Sequence, residues 1–158
     1  MRHLIERVLE LSDEEIVPQL DPQPNGQGTD EELRALLESL QPRIRVYGVG
    51  GAGCNAVGRL DAEGLFENSF VTGYAINTDA QALLMSPLEH KVLIGRTARG
   101  RGAGGDPTKG EAAALESEMA LRGITTDTQL AIIAAGMGGG SGTGAAGHIA
   151  RLAKEQGA

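Results

Sequence analysis

Leu130-Ala131-Ile132-Ile133-Ala134-Ala135 runs straight into Gly136-Met137-Gly138-Gly139-Gly140-Ser141-Gly142-Thr143-Gly144, and a helix-like stretch follows over residues 145–155. The first run has the length and apolarity of a buried strand. Six glycines and two hydroxyls then stand between strand and helix. Glycine has no Cβ, so its backbone N–H groups can close on an anion, while the helix adds unpaired N–H donors and a positive dipole end. Ser141 and Thr143 bring hydroxyls to the same oxygens. A Gly/Ser linker has a similar composition, but linkers rarely begin inside a core strand. The stretch reads as strand, phosphate-wrapping loop, helix.

Outward from it, residues 43–158 alternate strands with helices. Strands are predicted over 44–49, 70–77, 91–94 and 129–135, and helices over 55–63, 80–85, 108–121 and 145–155. This alternation implies an α/β fold, a mainly parallel Rossmann-like sheet flanked by helices. The strands are apolar on both faces, as buried parallel strands are. A sheet of four strands leaves its next edge bare, so the fold is expected to be cut after its fourth strand–helix unit.

Residues 1–42 differ in kind. A short helix is predicted over 2–16, a Pro/Gly-rich linker over 17–28, and a second helix from the capping-box signature Thr29-Asp30-Glu31-Glu32 onward, ended by Pro42. Of the formal charge of −7, most resides here: ten Asp/Glu stand against three Arg in residues 1–42, and eleven acids against eleven bases beyond. The chain thus divides into an acidic extension, 1–42, and a near-neutral body, 43–158. Neither offers the basic surface that nucleic acid or an anionic membrane needs. Only two Phe and two Tyr are present, and no Trp, so bases have little to stack on. Cys54 is the single cysteine, which rules out an internal disulfide, and no long apolar run or secretory h-region occurs. A cytoplasmic protein without direct membrane insertion is expected. Cys54 reads as a small packed side chain, and His148 as a helix-surface residue.

Two more glycine loops follow strands: Gly48-Val49-Gly50-Gly51-Ala52-Gly53 and Gly100-Arg101-Gly102-Ala103-Gly104-Gly105. In a parallel sheet such loops gather at the carboxyl ends of the strands, where ligands bind, and three anion nests suit a polyphosphate. The turn Asn77-Thr78-Asp79 belongs to the same edge. Asp79 there is a candidate magnesium ligand, directly or through water, and equally a helix N-cap. The first loop also matches G-x-G-x-x-G, so a Rossmann-type NAD-binding oxidoreductase is an alternative; it leaves the other two loops unexplained. No G-x-x-x-x-G-K-[ST] P-loop occurs.

Taken in order, Gly48 to Val57, Asn77-Thr78-Asp79-Ala80-Gln81-Ala82-Leu83, Gly100 to Pro107 and Gly138 to Gly144 resemble the successive nucleotide loops of FtsZ, the tubulin-like cell-division GTPases. The resemblance covers about residues 43–158, and the acidic arm looks most like that of archaeal members. It implies a GTP-binding, filament-forming protein of the cytoplasmic division site, with GTP/GDP and magnesium as ligands. Self-association would be head to tail, alongside unidentified membrane-tethering and division partners; a non-catalytic nucleotide-binding filament subunit is a further alternative. It implies that Gly50, Gly51, Ala52, Gly53, Cys54 and Asn55 meet the phosphates and sugar side. Ala103, Gly104, Gly105 and Asp106 would lie with Asp79 by the γ-phosphate and magnesium, and Gly139, Gly140, Ser141, Gly142, Thr143 and Gly144 would hold the α/β-phosphates. The family usually has Asn where Asp106 stands, and the added carboxylate makes magnesium more necessary. Ser141 replaces a common Thr. The base-contacting loops and the water-activating carboxylates, which act in trans between subunits, are absent from this sequence, so this segment alone is expected to be nearly inert as a GTPase.

Overall fold

A computed structural model of the 158-residue chain describes residues 29–67 and 70–158. The predicted helix 2–16 and linker 17–28 lie outside the described residues. Contacts divide the chain into two units, Met1–Leu40 and Gln41–Ala158. In the first, helix α1 (Asp30–Leu40) opens as its sequence dictates. The Thr29 N–H donates to Glu32 Oε2 at 2.8 Å and the Glu32 N–H to Thr29 Oγ1 at 3.3 Å, the reciprocal pair of a capping box.

The second unit is a four-stranded parallel sheet in the order β3-β2-β1-β4, with β1 Ile44–Val49, β2 Val71–Asn77, β3 His90–Leu93 and β4 Leu130–Ala135. Helices α2 (Gly50–Ala62), α3 (Ala80–Met85), α4 (Pro107–Glu116), α5 (Glu118–Thr125) and α6 (Gly140–Glu155) surround it. Side chains alternate along each strand and both faces find cover. Tyr47, Val49 and Ile76 pack with Ala113, Leu121, Ile149 and Leu152 of α4, α5 and α6. Val46, Val71 and Ala75 turn the other way, onto Cys54 and Val57 of α2 and Leu83 of α3.

Register positions the functional edge. Val49 pairs with Ile76 on one side and Ala135 on the other, and Asn77 pairs with Leu93. All four strands therefore end nearly level, which brings the segments that follow them to one rim. Along its side the sheet ends in β4, an edge strand with Leu130 and Ile132 exposed.

Three expectations are corrected. Helices α2 and α6 begin at Gly50 and Gly140, five residues before the predicted starts, so much of two supposed loops is first-turn helix. Glycine's low helix propensity, about 1 kcal/mol per residue, is overridden by the close seating of these turns. The predicted helix 108–121 is two helices broken at Ser117, whose backbone leaves the helical region (φ −102°, ψ 17°) and whose hydroxyl accepts from the Gly95 N–H at 2.9 Å. His148 is buried at 6% exposure, because it shares the inner stripe of α6 with Ala145 and Leu152.

Candidate functional site

Four helices start at the rim where the strands end, and they start in two ways. Asp79 caps α3, its Oδ1 accepting from the N–H groups of Gln81 (2.9 Å) and Ala82 (3.1 Å). Asp106 caps α4, its Oδ1 accepting from the Thr108 N–H at 2.9 Å, with Pro107 following in the first turn. At α2 and α6 the N-cap residues are Val49 and Gly139, and neither supplies a side-chain cap. The first-turn N–H groups of these two helices thus lack side-chain acceptors, and both turns border one cleft, lined by Gly50, Gly51, Ala52, Gly139, Ser141 and Gly142 among others. No Lys or Arg lines it. Its attraction for an anion rests on backbone donors and two helix dipole ends.

The turns abut because they lack side chains. Gly50 has a φ of +71°, open to glycine at little cost, and a Cβ on it would lie 2.8 Å from the Gly142 nitrogen. A Cβ on Gly140 would meet Ala103 Cβ at 2.7 Å and the Asp106 backbone at 2.8 Å, which seats the 103–106 loop against α6. Behind the cleft α4 crosses α6 through Gly110 and Gly144: a Cβ on either would stand 2.1 Å from a carbonyl oxygen, that of Gly140 or Pro107 respectively. Gly53 is held the same way, with a Cβ 2.1 Å from the Ala134 oxygen.

Hydrogen bonds tie the remaining segments in. The Gly102 N–H donates to the Thr78 carbonyl at 3.1 Å, the Ala80 N–H to the Gly100 carbonyl at 3.1 Å, and the Thr78 and Ser141 hydroxyls meet at 2.7 Å. Thr143 Oγ1 accepts from the Gly138 N–H at 2.9 Å and holds its own loop in shape.

The candidate residues therefore separate. Gly50, Gly51, Ala52, Gly139, Gly140, Ser141 and Gly142 line the cleft. Ala103, Gly104, Gly105 and Asp106 adjoin it through the contact with Gly140. Gly53 and Gly144 are packing positions, Asn55 is exposed on α2, and Cys54 is buried, its thiol donating to the carbonyls of Gly48 (3.3 Å) and Ile76 (3.6 Å). Burial pushes the Cys54 thiol above its ordinary pKa and so keeps it neutral. Met137 lines the cleft and Thr78 supports it; the sequence places both in rim segments but singles out neither as a contact residue. Thr78 follows β2 and is fully buried against Ser141, a signal that appears only in the tertiary structure.

Among the described residues no cluster of three or more His, Cys, Asp or Glu is placed to hold a metal ion. Asp79 already spends one carboxylate oxygen on its helix cap, and Asp106 has Oδ1 on its cap and Oδ2 3.9 Å from Lys109 Nζ. One carboxylate at this rim would still suit magnesium if the cleft took a phosphate, because magnesium commonly takes one or two carboxylates with phosphate oxygens and water. No helix among the described residues is long and apolar enough to cross a membrane.

Comparison with known proteins agrees with this architecture. The Tubulin/FtsZ family, GTPase domain, matches residues 43–158. The chain is 46% identical over 160 residues to Cell division protein FtsZ 1 of Pyrococcus abyssi, covering 100% of this chain and 42% of that protein. It is 43% identical over 139 residues to Cell division protein FtsZ 1 of Halobacterium salinarum, 87% of this chain and 34% of the relative. Among solved structures it resembles an empty FtsZ dimer from M. jannaschii (TM-score 0.73, 42% identity, 82% of this chain and 37% of that one). CetZ2 from Haloferax volcanii, a GTPgS-bound protofilament, is also similar (TM-score 0.57, 33% identity, 69% and 35%). The chain thus spans less than half the length of the relatives it matches. Its glycine-built rim on a parallel sheet and its match over residues 43–158 make it a member of the Tubulin/FtsZ family, carrying part of the GTPase domain.

Proposed function

We propose that this chain is the phosphate-holding part of a GTP-binding, filament-forming cell-division protein, with residues 43–158 as the nucleotide-binding body and 1–42 as a separate acidic arm. The observation that carries this reading is the contrast at the rim. The two aspartate-capped helices give first-turn donors to their own cap carboxylates, and the two uncapped ones face a shared cleft without cationic side chains. Such a cleft suits a polyphosphate, whose oxygens would take the N–H groups of α2 and α6.

In this reading Gly50, Gly51, Ala52 and Gly139–Gly142 receive the phosphates, and the 103–106 loop borders the terminal one. Cys54 and Asn55 sit one turn further along α2. Magnesium, when bound, would neutralise phosphate charge, and Asp79 is the residue that would hold it, directly or through water. Phosphoryl transfer depends on positioning and charge stabilisation. This segment supplies positioning, and the group that activates water comes from the next subunit of a head-to-tail polymer in the cytoplasm at the division site. The protofilament form of the CetZ2 relative supports self-association.

The test is competition between GTP and NAD for the complete protein, read by calorimetry. GTP binding that NAD does not displace is expected, and preferential NAD binding would return the reading to the dinucleotide-binding alternative. In excess chelator GTP affinity is expected to fall at least tenfold, about 1.4 kcal/mol; equal affinity with and without magnesium would remove the metal role of Asp79.

A further inference from the structure

Thr78 is fully buried just beyond the end of β2. Its carbonyl accepts from the Gly102 N–H, and its hydroxyl has one partner among the described residues, the Ser141 hydroxyl at 2.7 Å. Ser141 is the second residue of α6 and lines the anion cleft, 9% exposed. One proton lies between the two oxygens, and the surroundings choose its owner. If Ser141 donated, the Thr78 proton would have no acceptor inside the core, which buried hydroxyls avoid. If Thr78 donates, its proton is satisfied and the Ser141 proton turns toward the cleft, where an anion can take it.

We infer that Thr78 is a positioning residue for the phosphate site: by donating to Ser141 Oγ it fixes that hydroxyl as a donor to a bound phosphate oxygen. A serine at 141 is otherwise free to rotate among three staggered positions, and in one of them its proton points away from the ligand. The buried donor behind it removes that choice. Through its carbonyl, Thr78 also holds Gly102, so one residue joins the 100–105 loop to the first turn of α6.

The inference rests on the reading that the cleft receives GTP phosphates, and the experiment separates the two. GTP binding to the complete protein is measured for wild type, Thr78→Val, Thr78→Ser, Ser141→Ala and the double variant. Thr78→Val keeps shape and removes the donor, and its Kd is expected to rise about tenfold, the size of one charge-assisted hydrogen bond. Thr78→Ser restores affinity to within about twofold of wild type by the same principle. In the Ser141→Ala background Thr78→Val is expected to change nothing further, because the hydroxyl it orients is gone. If Thr78→Val does not fold, Thr78→Cys, a weak donor of similar size, takes its place in the cycle. Equal loss in both backgrounds would make Thr78 a packing residue and overturn the proposal, as would unchanged affinity in folded Thr78→Val. Wild type that binds no GTP overturns the nucleotide reading and this proposal with it.

Discussion

The first turn of α6 and the loop at residues 100–105 are both rich in glycine and use it for different reasons. In the loop, Gly100, Gly102, Gly104 and Gly105 all have positive φ, between +61° and +79°, and a Cβ on Gly104 or Gly105 would meet nothing within 4 Å. In the turn, Gly140, Gly142 and Gly144 have helical backbones, and a Cβ on any of them would strike a neighbour at 2.1 to 2.8 Å. One segment needs glycine for its torsion angles, the other because something stands opposite. Gly51 belongs to a third kind: its φ is not positive, nothing lies within 4 Å, and it faces the cleft. Neither torsion nor packing explains it, whereas the proposed phosphate site would, since a phosphate held by backbone N–H groups needs close approach there.

The contrast is broken most forcefully at Gly144. Gly144→Ala places a methyl 2.1 Å from the Pro107 oxygen and 2.5 Å from the Glu111 nitrogen, both backbone atoms of α4 that cannot rotate away. A loss of roughly 3 kcal/mol or more is expected, seen as a lowered denaturant midpoint in the complete protein. A midpoint matching wild type would mean that α4 and α6 do not cross this closely.

Gly51→Ala should separate stability from binding. An alanine in an open helical turn adds up to about 1 kcal/mol of stability, while its methyl keeps a phosphate from the backbone and lowers GTP affinity about tenfold, or 1.4 kcal/mol. Higher stability with unchanged affinity would leave Gly51 without a ligand role. A smaller effect is expected at Gly105, where alanine must adopt φ near +79° at a cost of about 1 kcal/mol. Gly105→Asn should recover part of that loss, since asparagine tolerates the left-handed region; equal losses for both would point to a steric cause instead.

The smallest effect concerns Cys54, inside the closely seated first turns of α2. Its pKa is raised by burial, so the folded state holds the proton more tightly than the unfolded state does. The stabilisation is complete below the ordinary thiol value, about 8.5, and is lost as pH climbs through the raised one. Thermal stability of wild type should therefore fall faster than that of Cys54→Ser above about pH 9, and parallel curves would show the thiol to be accessible to water.

Much of this molecule was legible in its sequence. Apolar runs of strand length alternating with helical patterns implied a parallel sheet covered on both faces, and strand β1 and helix α3 fall at their predicted bounds. The aspartate at 79 announced its helix cap, because capping is a local bond between a side chain and its own next turn, and Asp106 proves to cap α4 in the same way. Parallel topology alone then sent the glycine loops to one rim.

What remained hidden depends on contacts between distant residues. Glycine at 50–53 and 140–144 looked like loop because propensity counts the missing side chain as a cost, and only the opposing backbones of Ala134, Pro107 and Glu111 turn it into a requirement. Ser117 breaks a helix for the Gly95 N–H, His148 faces inward between Arg151 (2.5 Å) and Glu118 (3.5 Å), and Thr78 finds Ser141 sixty-three positions away. The local pattern determined which elements form and in what order. Tertiary packing decided where they begin, where they break and which hydroxyl faces the cleft, because those outcomes are set by atoms that adjoin in space and are far apart along the chain.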